Sequence, residues 1–334
     1  MRTRPAPSLT AAGLFAGIGG VELGLASAGI ETRLLCEVWE PARAVLARHF
    51  PQVPLASDVR DLRALPSVDV VAAGFPCTDL SQAGRMAGIT GAHSGLVGQV
   101  FRLLDRHPRR QKPTWVVFEN VRNMLPLDGG HAMAYLVGEL EARGFRWAYR
   151  VVDSRFSGVP QRRQRVLLVA SRAEDPTQVL FADDAGDPGD FGRDDAYGFY
   201  WTEGVRGLGW AKDAVPTLKG GSTLGIPSPP AIWLRHEPLP RRFVTPTISD
   251  AERLQGFPTG WTEPAQTPRV NGPRWKLVGN AVTVGVAAWL GRRLVEPGTY
   301  DTTGDEPLDP RRPWPDAAWG ERGRRCRVRV GMWP

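Results

Sequence analysis

Apolar positions along the chain cluster into short unbroken runs that stop at glycine or charged residues, the pattern of strands buried on both faces. Val68-Asp69-Val70-Val71-Ala72-Ala73 halts at Gly74-Phe75-Pro76-Cys77, and Trp115-Val116-Val117-Phe118 halts at Glu119-Asn120-Val121. Upstream, an apolar stretch runs into Leu14-Phe15-Ala16-Gly17-Ile18-Gly19-Gly20 and then into Val21-Glu22-Leu23-Gly24-Leu25 at helical spacing. That reads as strand, glycine turn and helix. Ile30 to Cys36 reads as a second strand ending in Glu37, and Pro41 to Leu46 opens a helix with proline in its first turn. A further strand ends at Asp58. Helices are predicted over Leu96 to Asp105 and Met133 to Gly144, and a strand hairpin over Arg146 to Val152 and Arg165 to Ala170. The alternation predicts an α/β fold with a doubly wound, mostly parallel sheet.

The regularity weakens after Ser171, where Gly, Asp and Pro accumulate around short aromatic pieces. Helical pattern returns at Ser249 to Leu254 and at Ala281 to Leu294. The predicted division is a main domain of residues 1–171 plus 272–296, a smaller irregular domain over 172–271, and a tail over 297–334.

At 334 residues the chain can bury a full core. Its net charge of +7 suits a nucleic-acid partner, but only four lysines occur, so nearly all of the positive charge is arginine. A GC-rich genome would enrich arginine in the same way, so charge alone is weak support. The three cysteines, Cys36, Cys77 and Cys326, form no CxxC pair, which argues against a disulfide framework and a structural zinc site; no metal is expected. No apolar run has bilayer-spanning length, and Met1 to Ser8 lack the apolar core of a secretory signal. A cytoplasmic protein with no membrane partner is expected.

The chemistry-bearing residues fall at strand ends, where ligands of open α/β sheets collect. Cys77 alone reads as an ordinary small buried residue. Pro76 stiffens the chain before it, however, and residues 78–98 carry five glycines, which suits a lid beside a nucleophile. Glu119 alone reads as a surface helix cap; next to a reactive thiol it reads as an acid able to give a proton. Gln161, Arg163 and Arg165 alternate along a strand start and share a face. The glycine turn fits a dinucleotide site as well as any other nucleotide site, and Glu37 is placed to bind ribose hydroxyls in either case. Asp58 could hold an adenine amine.

In sequence order these pieces resemble the cytosine-C5 DNA methyltransferases, over roughly residues 12–294. The matching elements are Phe15-Ala16-Gly17-Ile18-Gly19-Gly20, Glu37, Asp58, Gly74-Phe75-Pro76-Cys77, Glu119-Asn120-Val121 and Gln161-Arg162-Arg163-Gln164-Arg165. Arg253-Leu254-Gln255-Gly256-Phe257-Pro258 and Gly279-Asn280-Ala281-Val282 follow. The resemblance implies a Rossmann-like domain dependent on S-adenosylmethionine (SAM). It implies Cys77, Glu119, Arg163 and Arg165 as catalytic. Phe15, Gly17, Gly19, Gly20, Glu37, Asp58, Val59, Gly74, Pro76, Asn280 and Val282 would bind cofactor. Residues 172–271 would be a target recognition domain. Thr78, Ser81, Gln161, Thr217, Lys219, Arg241 and Arg242 would contact double-stranded DNA. The family habit implies a monomer in a restriction or defence system.

Two departures bear on DNA contacts: Thr78 follows Cys77 where many relatives carry Gln, and His93-Ser94-Gly95 replaces a frequent Ser-Arg-Gly. A branch of the family that methylates transfer RNA carries a Cys-Phe-Thr tripeptide, which this chain lacks. A catalytically silent DNA-binding relative is the other alternative, against which the intact Cys77, Glu119, Arg163 and Arg165 argue.

Overall fold

The structure is a computed structural model that describes residues 9–76, 95–107, 113–186, 193–200, 209–220, 228–267 and 272–334. The first strands are β1 (Thr10–Leu14), β2 (Glu31–Cys36), β3 (Leu55–Ala56), β4 (Val70–Ala73) and β5 (Trp115–Val121). After them come β6 (Arg146–Asp153), β7 (Gln161–Arg162) and β8 (Gln164–Ser171). Later strands are β9 (Ala196–Phe199), β10 (Ala211–Lys212), β11 (Val215–Pro216), β12 (Ala231–Leu234) and β13 (Phe243–Val244). The chain closes with β14 (Glu306–Pro307), β15 (Ala317–Glu321) and β16 (Arg324–Arg327).

One large sheet has the order β14-β16-β15-β6-β8-β5-β4-β1-β2-β3. Its β3-β2-β1-β4-β5 part is parallel throughout, and β8 joins β5 and β6 as an antiparallel pair on each side. The predicted hairpin over 146–170 is therefore present. Val70 to Ala73 are buried on both faces, as an uninterrupted apolar run requires.

Helices α1 (Gly20–Ser27), α2 (Glu40–His49), α3 (Leu96–Arg106) and α4 (His131–Ala142) connect the strands. The short α5 (Thr177–Leu180) and α6 (Ile248–Leu254) come next, followed by α7 (Arg274–Asn280) and α8 (Val284–Val295). Separate apolar cores lie on the two faces of the sheet. One gathers Val97, Phe101, Met133 and Leu136 from α3 and α4; the other gathers Leu25 and Leu290 from α1 and α8. That two-sided cover is the doubly wound arrangement. Among the described residues no helix is long and apolar enough to cross a membrane.

Two expected boundaries are corrected. Val179, Leu180 and Phe181 belong to the main core, and Phe257, Trp261 and Ala265 pack with Ile18, Ala42 and Val45. The four-stranded sheet β10-β9-β12-β13 stands apart from the large one, so the independent small unit is narrower than 172–271. Residues 297–334 are not a tail. Their three strands extend the large sheet through β15 pairing with β6, and Trp319, Cys326 and Val328 are buried. The segment lacked a long period because short antiparallel strands leave none.

Candidate active site

Parallel strand ends open one side of the sheet, and the residues there enclose a cavity of about 640 Å³. Phe15 and Gly17 from the turn after β1, Glu37 after β2, and Asp58 and Val59 after β3 line it. Gly74 and Pro76 after β4 and Asn280 at the end of α7 line it as well. Eight residues singled out for a nucleotide cofactor thus share one wall. A smaller chamber of about 50 Å³ continues it, lined by Gly20, Glu22, Gly74, Glu119, Asn280 and Val282 among others. Gly19 lines neither.

The glycine turn is shaped by its backbone. Phe15, Gly17 and Gly19 have φ of 58°, 57° and 82°, a region glycine enters freely and phenylalanine does not. The turn is held by Glu37, whose Oε2 accepts the Gly17 N–H at 2.8 Å while Oε1 accepts the Trp39 N–H at 2.8 Å. Phe15 meets Phe75 edge to face at 6.5 Å between centroids. A Cβ on Gly20 would overlap the Val282 carbonyl oxygen, so only glycine lets α1 approach the 280–283 turn. This cradle fits a flat nucleotide ligand with a ribose near Glu37. Asp58 is already paired with the Arg60 guanidinium, whose hydrogen bonds hold its carboxyl below the usual range.

Beside this cavity, Glu119 stands near the end of β5, largely buried, with Arg165 Nε donating to its Oε1 at 3.0 Å. Burial depresses the Arg165 pKa, and the Glu119 charge counters that. The acid is therefore half of an ion pair rather than a lone desolvated carboxyl. Asn120 donates from Nδ2 to the Phe75 carbonyl at 3.0 Å, fixing the β4 exit against β5. Cys77, Thr78, Ser81 and most of the glycine-punctuated loop lie outside the described residues.

Two expected site residues have other partners. Arg163 is 1% exposed and donates to the carbonyls of Gly279, at 3.2 Å, and Ala281, at 2.7 Å. Burial, followed by repulsion from Arg165, drives its pKa well below the ordinary arginine value. It braces the turn that carries Asn280. Gln161, expected at the DNA, is fully buried: its Nε2 donates to the Leu254 carbonyl and its Oε1 accepts the Leu218 N–H. Alternation along a strand gave these side chains a shared face but could not say whether another segment covered it.

Thr217 donates to the Arg162 carbonyl, and the exposed Lys219 has its ammonium 4.2 Å from the Tyr200 ring centroid. Arg241 is exposed, and Arg242 donates to the Glu237 carbonyl. Residues missed from the sequence are Glu22, Cys36, Trp39 and Lys276, all lining one of the two cavities. A single acid inside the apolar α1 sequence was the one available signal. Burial pushes the Cys36 thiol up to about 12, which leaves it unreactive.

Residues 9–187 match the family model described as C-5 cytosine-specific DNA methylase. The chain belongs to that family. It is 48% identical over 330 residues to the Type II methyltransferase M2.BsuMI of Bacillus subtilis, covering 96% of this chain and 84% of that one. It is 29% identical to the Type II methyltransferase M.HhaI of Haemophilus parahaemolyticus over 161 residues, about half of each chain. Among solved structures, the S. pombe Dnmt2 methyltransferase superposes with a TM-score of 0.61 at 15% identity, covering 86% of this chain and 98% of that one. That likeness concerns the fold. The protein is a DNA cytosine-C5 methyltransferase, and the two adjoining cavities lie where the parallel strands of this methylase end.

Proposed function

We propose that this methylase modifies C5 of a cytosine turned out of double-stranded DNA, with SAM as methyl donor and Cys77 as nucleophile. The observation that carries this reading is the Glu119–Arg165 pair, held on β5 and β8 beside the β4 exit that leads to Cys77. Cytosine C5 is a poor nucleophile. A Cys77 thiolate adding at C6 breaks the aromatic π system and pushes electron density toward C5 and N3. Glu119, oriented by Arg165 and protonated from solvent as the base binds, delivers the proton or hydrogen bond that N3 then needs, and Arg165 faces the neighbouring carbonyl. When bound, SAM supplies the methyl group that C5 takes up. Loss of the C5 proton to water and departure of Cys77 restore the ring.

The larger cavity would hold the nucleoside part of the cofactor, with Glu37 on the ribose and Phe15 against the adenine. Residues 193–246, with the small sheet, would form the target recognition unit, and Lys219, Arg241 and Arg242 would contact the DNA backbone. Turning the base out costs a few kcal/mol, which such contacts offset. The relatives' Type II naming supports a modification enzyme of a restriction system, and a monomer working in the cytoplasm completes the proposal.

The test is a covalent trap. Duplex DNA carrying 5-fluorocytosine, mixed with SAM, should yield a stable adduct with the wild-type protein and none with Cys77→Ser. No wild-type adduct across a library of target sequences would overturn the reading. Bisulfite sequencing of DNA from an expressing host reports the target site, and methyl incorporation into transfer RNA instead of DNA would reverse the substrate assignment.

A further inference from the structure

Glu22 lies in the first turn of α1 and points inward: it is 2% exposed, and its Oε2 has no hydrogen-bond partner among the described residues. A buried carboxyl oxygen without a partner is costly and rare. The chain makes room for it, since a Cβ on Gly13 of β1 would overlap the Glu22 carboxyl. The carboxyl lines the small chamber, which shares Phe15, Gly17, Gly74, Asn280 and Ala281 with the larger cavity. A ligand whose ribose lies near Glu37 can therefore extend its remaining part toward Glu22 and the start of α1.

The charges facing this chamber are acidic. Glu37 at the end of β2 is near enough to repel the Glu22 carboxylate, and Glu119 on β5 lines the same space with Arg165 of β8 as its partner. The basic residues of α8, which packs on α1, lie in its last turn at Arg292 and Arg293. A cavity that collects carboxylates and leaves one unpartnered suits a cationic group.

We propose that Glu22 binds the α-ammonium group of the methyl donor, and binds it equally in the demethylated product. This rests on the SAM reading above. Burial pushes the Glu22 carboxyl up to about 7, its own backbone N–H opposes this, and Glu37 adds to it. The carboxylate that attracts the ammonium is therefore present above pH 7 and lost below it.

The probes are S-adenosylhomocysteine, which keeps the ammonium and lacks the sulfonium, and 5′-methylthioadenosine, which lacks the amino acid altogether. Calorimetry on the full chain should show Glu22→Gln weakening S-adenosylhomocysteine about tenfold or more, the usual weight of a charged hydrogen bond. Binding of 5′-methylthioadenosine should stay unchanged. In the wild type, acidification from pH 8 to pH 6 should weaken S-adenosylhomocysteine relative to 5′-methylthioadenosine, a measurement that needs no variant. Equal losses for both probes, or no loss for either, would overturn the proposal. A wild type that binds SAM while Glu22→Gln binds S-adenosylhomocysteine as well as it does leaves the cofactor reading standing and removes this one. A wild type that binds none of the three removes both.

Discussion

Arg163 lies in the break between β7 and β8 and Arg165 two residues on in β8, and their partners separate them. Arg165 meets a carboxylate, whereas the hydrogen bonds of the buried Arg163 go, among the described residues, to carbonyl oxygens. Arg163→Ala leaves the Gly279 carbonyl without its guanidinium donor and the Ala281 carbonyl with only the longer bond from Gln255 Nε2 at 3.4 Å, and a buried group left unpaired costs about 1–3 kcal/mol. We therefore expect a lower melting temperature and weaker SAM binding, since the braced turn carries Asn280. Arg165→Ala should instead cut adduct formation in the 5-fluorocytosine trap by about 100-fold or more, the scale of losing a positioned acid. Equal effects of both variants on melting and trapping would contradict the division. Glu22 gives a further prediction about stability. Its carboxyl has a higher pKa folded than unfolded, so its favourable contribution is full below about pH 4.5 and lost as pH rises through about 7. Without ligand, Glu22→Gln should raise stability at pH 8 by on the order of 3 kcal/mol and flatten the melting profile between pH 5 and pH 8. A group that stabilises by binding donor would thus destabilise the empty fold.

At the scale of elements, the site depends on close approach between segments far apart in sequence. Helix α1 can touch the 280–283 turn only because Gly20 has no side chain, and Gly279 lies equally close to the backbone of Lys219 and Gly220. Buried polar side chains tie the same segments: Gln255 donates to the Val278 carbonyl and accepts from Thr283, while Glu252 pairs with Arg274 at 3.1 Å. Gln161 joins β7 to the loop after β11 and to the end of α6. Gln161→Ala should accordingly lower the melting temperature and leave the DNA affinity of the folded protein unchanged. A direct DNA contact would instead weaken DNA binding without lowering the melting temperature.

At the scale of the whole molecule, the last strands complete the sheet on which the site is built. β15 covers the edge of β6, and the fully buried Arg150 donates to the carbonyls of Gly331 and Leu180 while pairing with Asp184. Deleting residues 301–334 would uncover Trp147 and Tyr149 and take the Gly331 and Trp333 carbonyls away from the buried Arg150 guanidinium, leaving its pair with Asp184. Losing a hydrogen bond to a charged group costs about 1.5–3 kcal/mol, so two such losses are a large share of the stability of one domain. The truncated chain should be insoluble or lack a cooperative melt by circular dichroism. An unchanged melting temperature would show that the segment is dispensable.

The local order of the chain was enough to establish the strand ends, the glycine turn and the family. Each depends on neighbours in sequence: a run of buried positions, a backbone that only glycine adopts easily, and a short motif at its end. Glu37 and Asn280 were legible for that reason, and both line the larger cavity. What covers a residue is set by segments a hundred or more positions away, and periodicity carries no record of them. The partners of Arg163 and Gln161, the buried carboxyl of Glu22 and the place of the last strands in the sheet were therefore decided by tertiary packing alone. Burial changes the energy of a charge by kcal/mol, and only the folded chain determines which charges are buried.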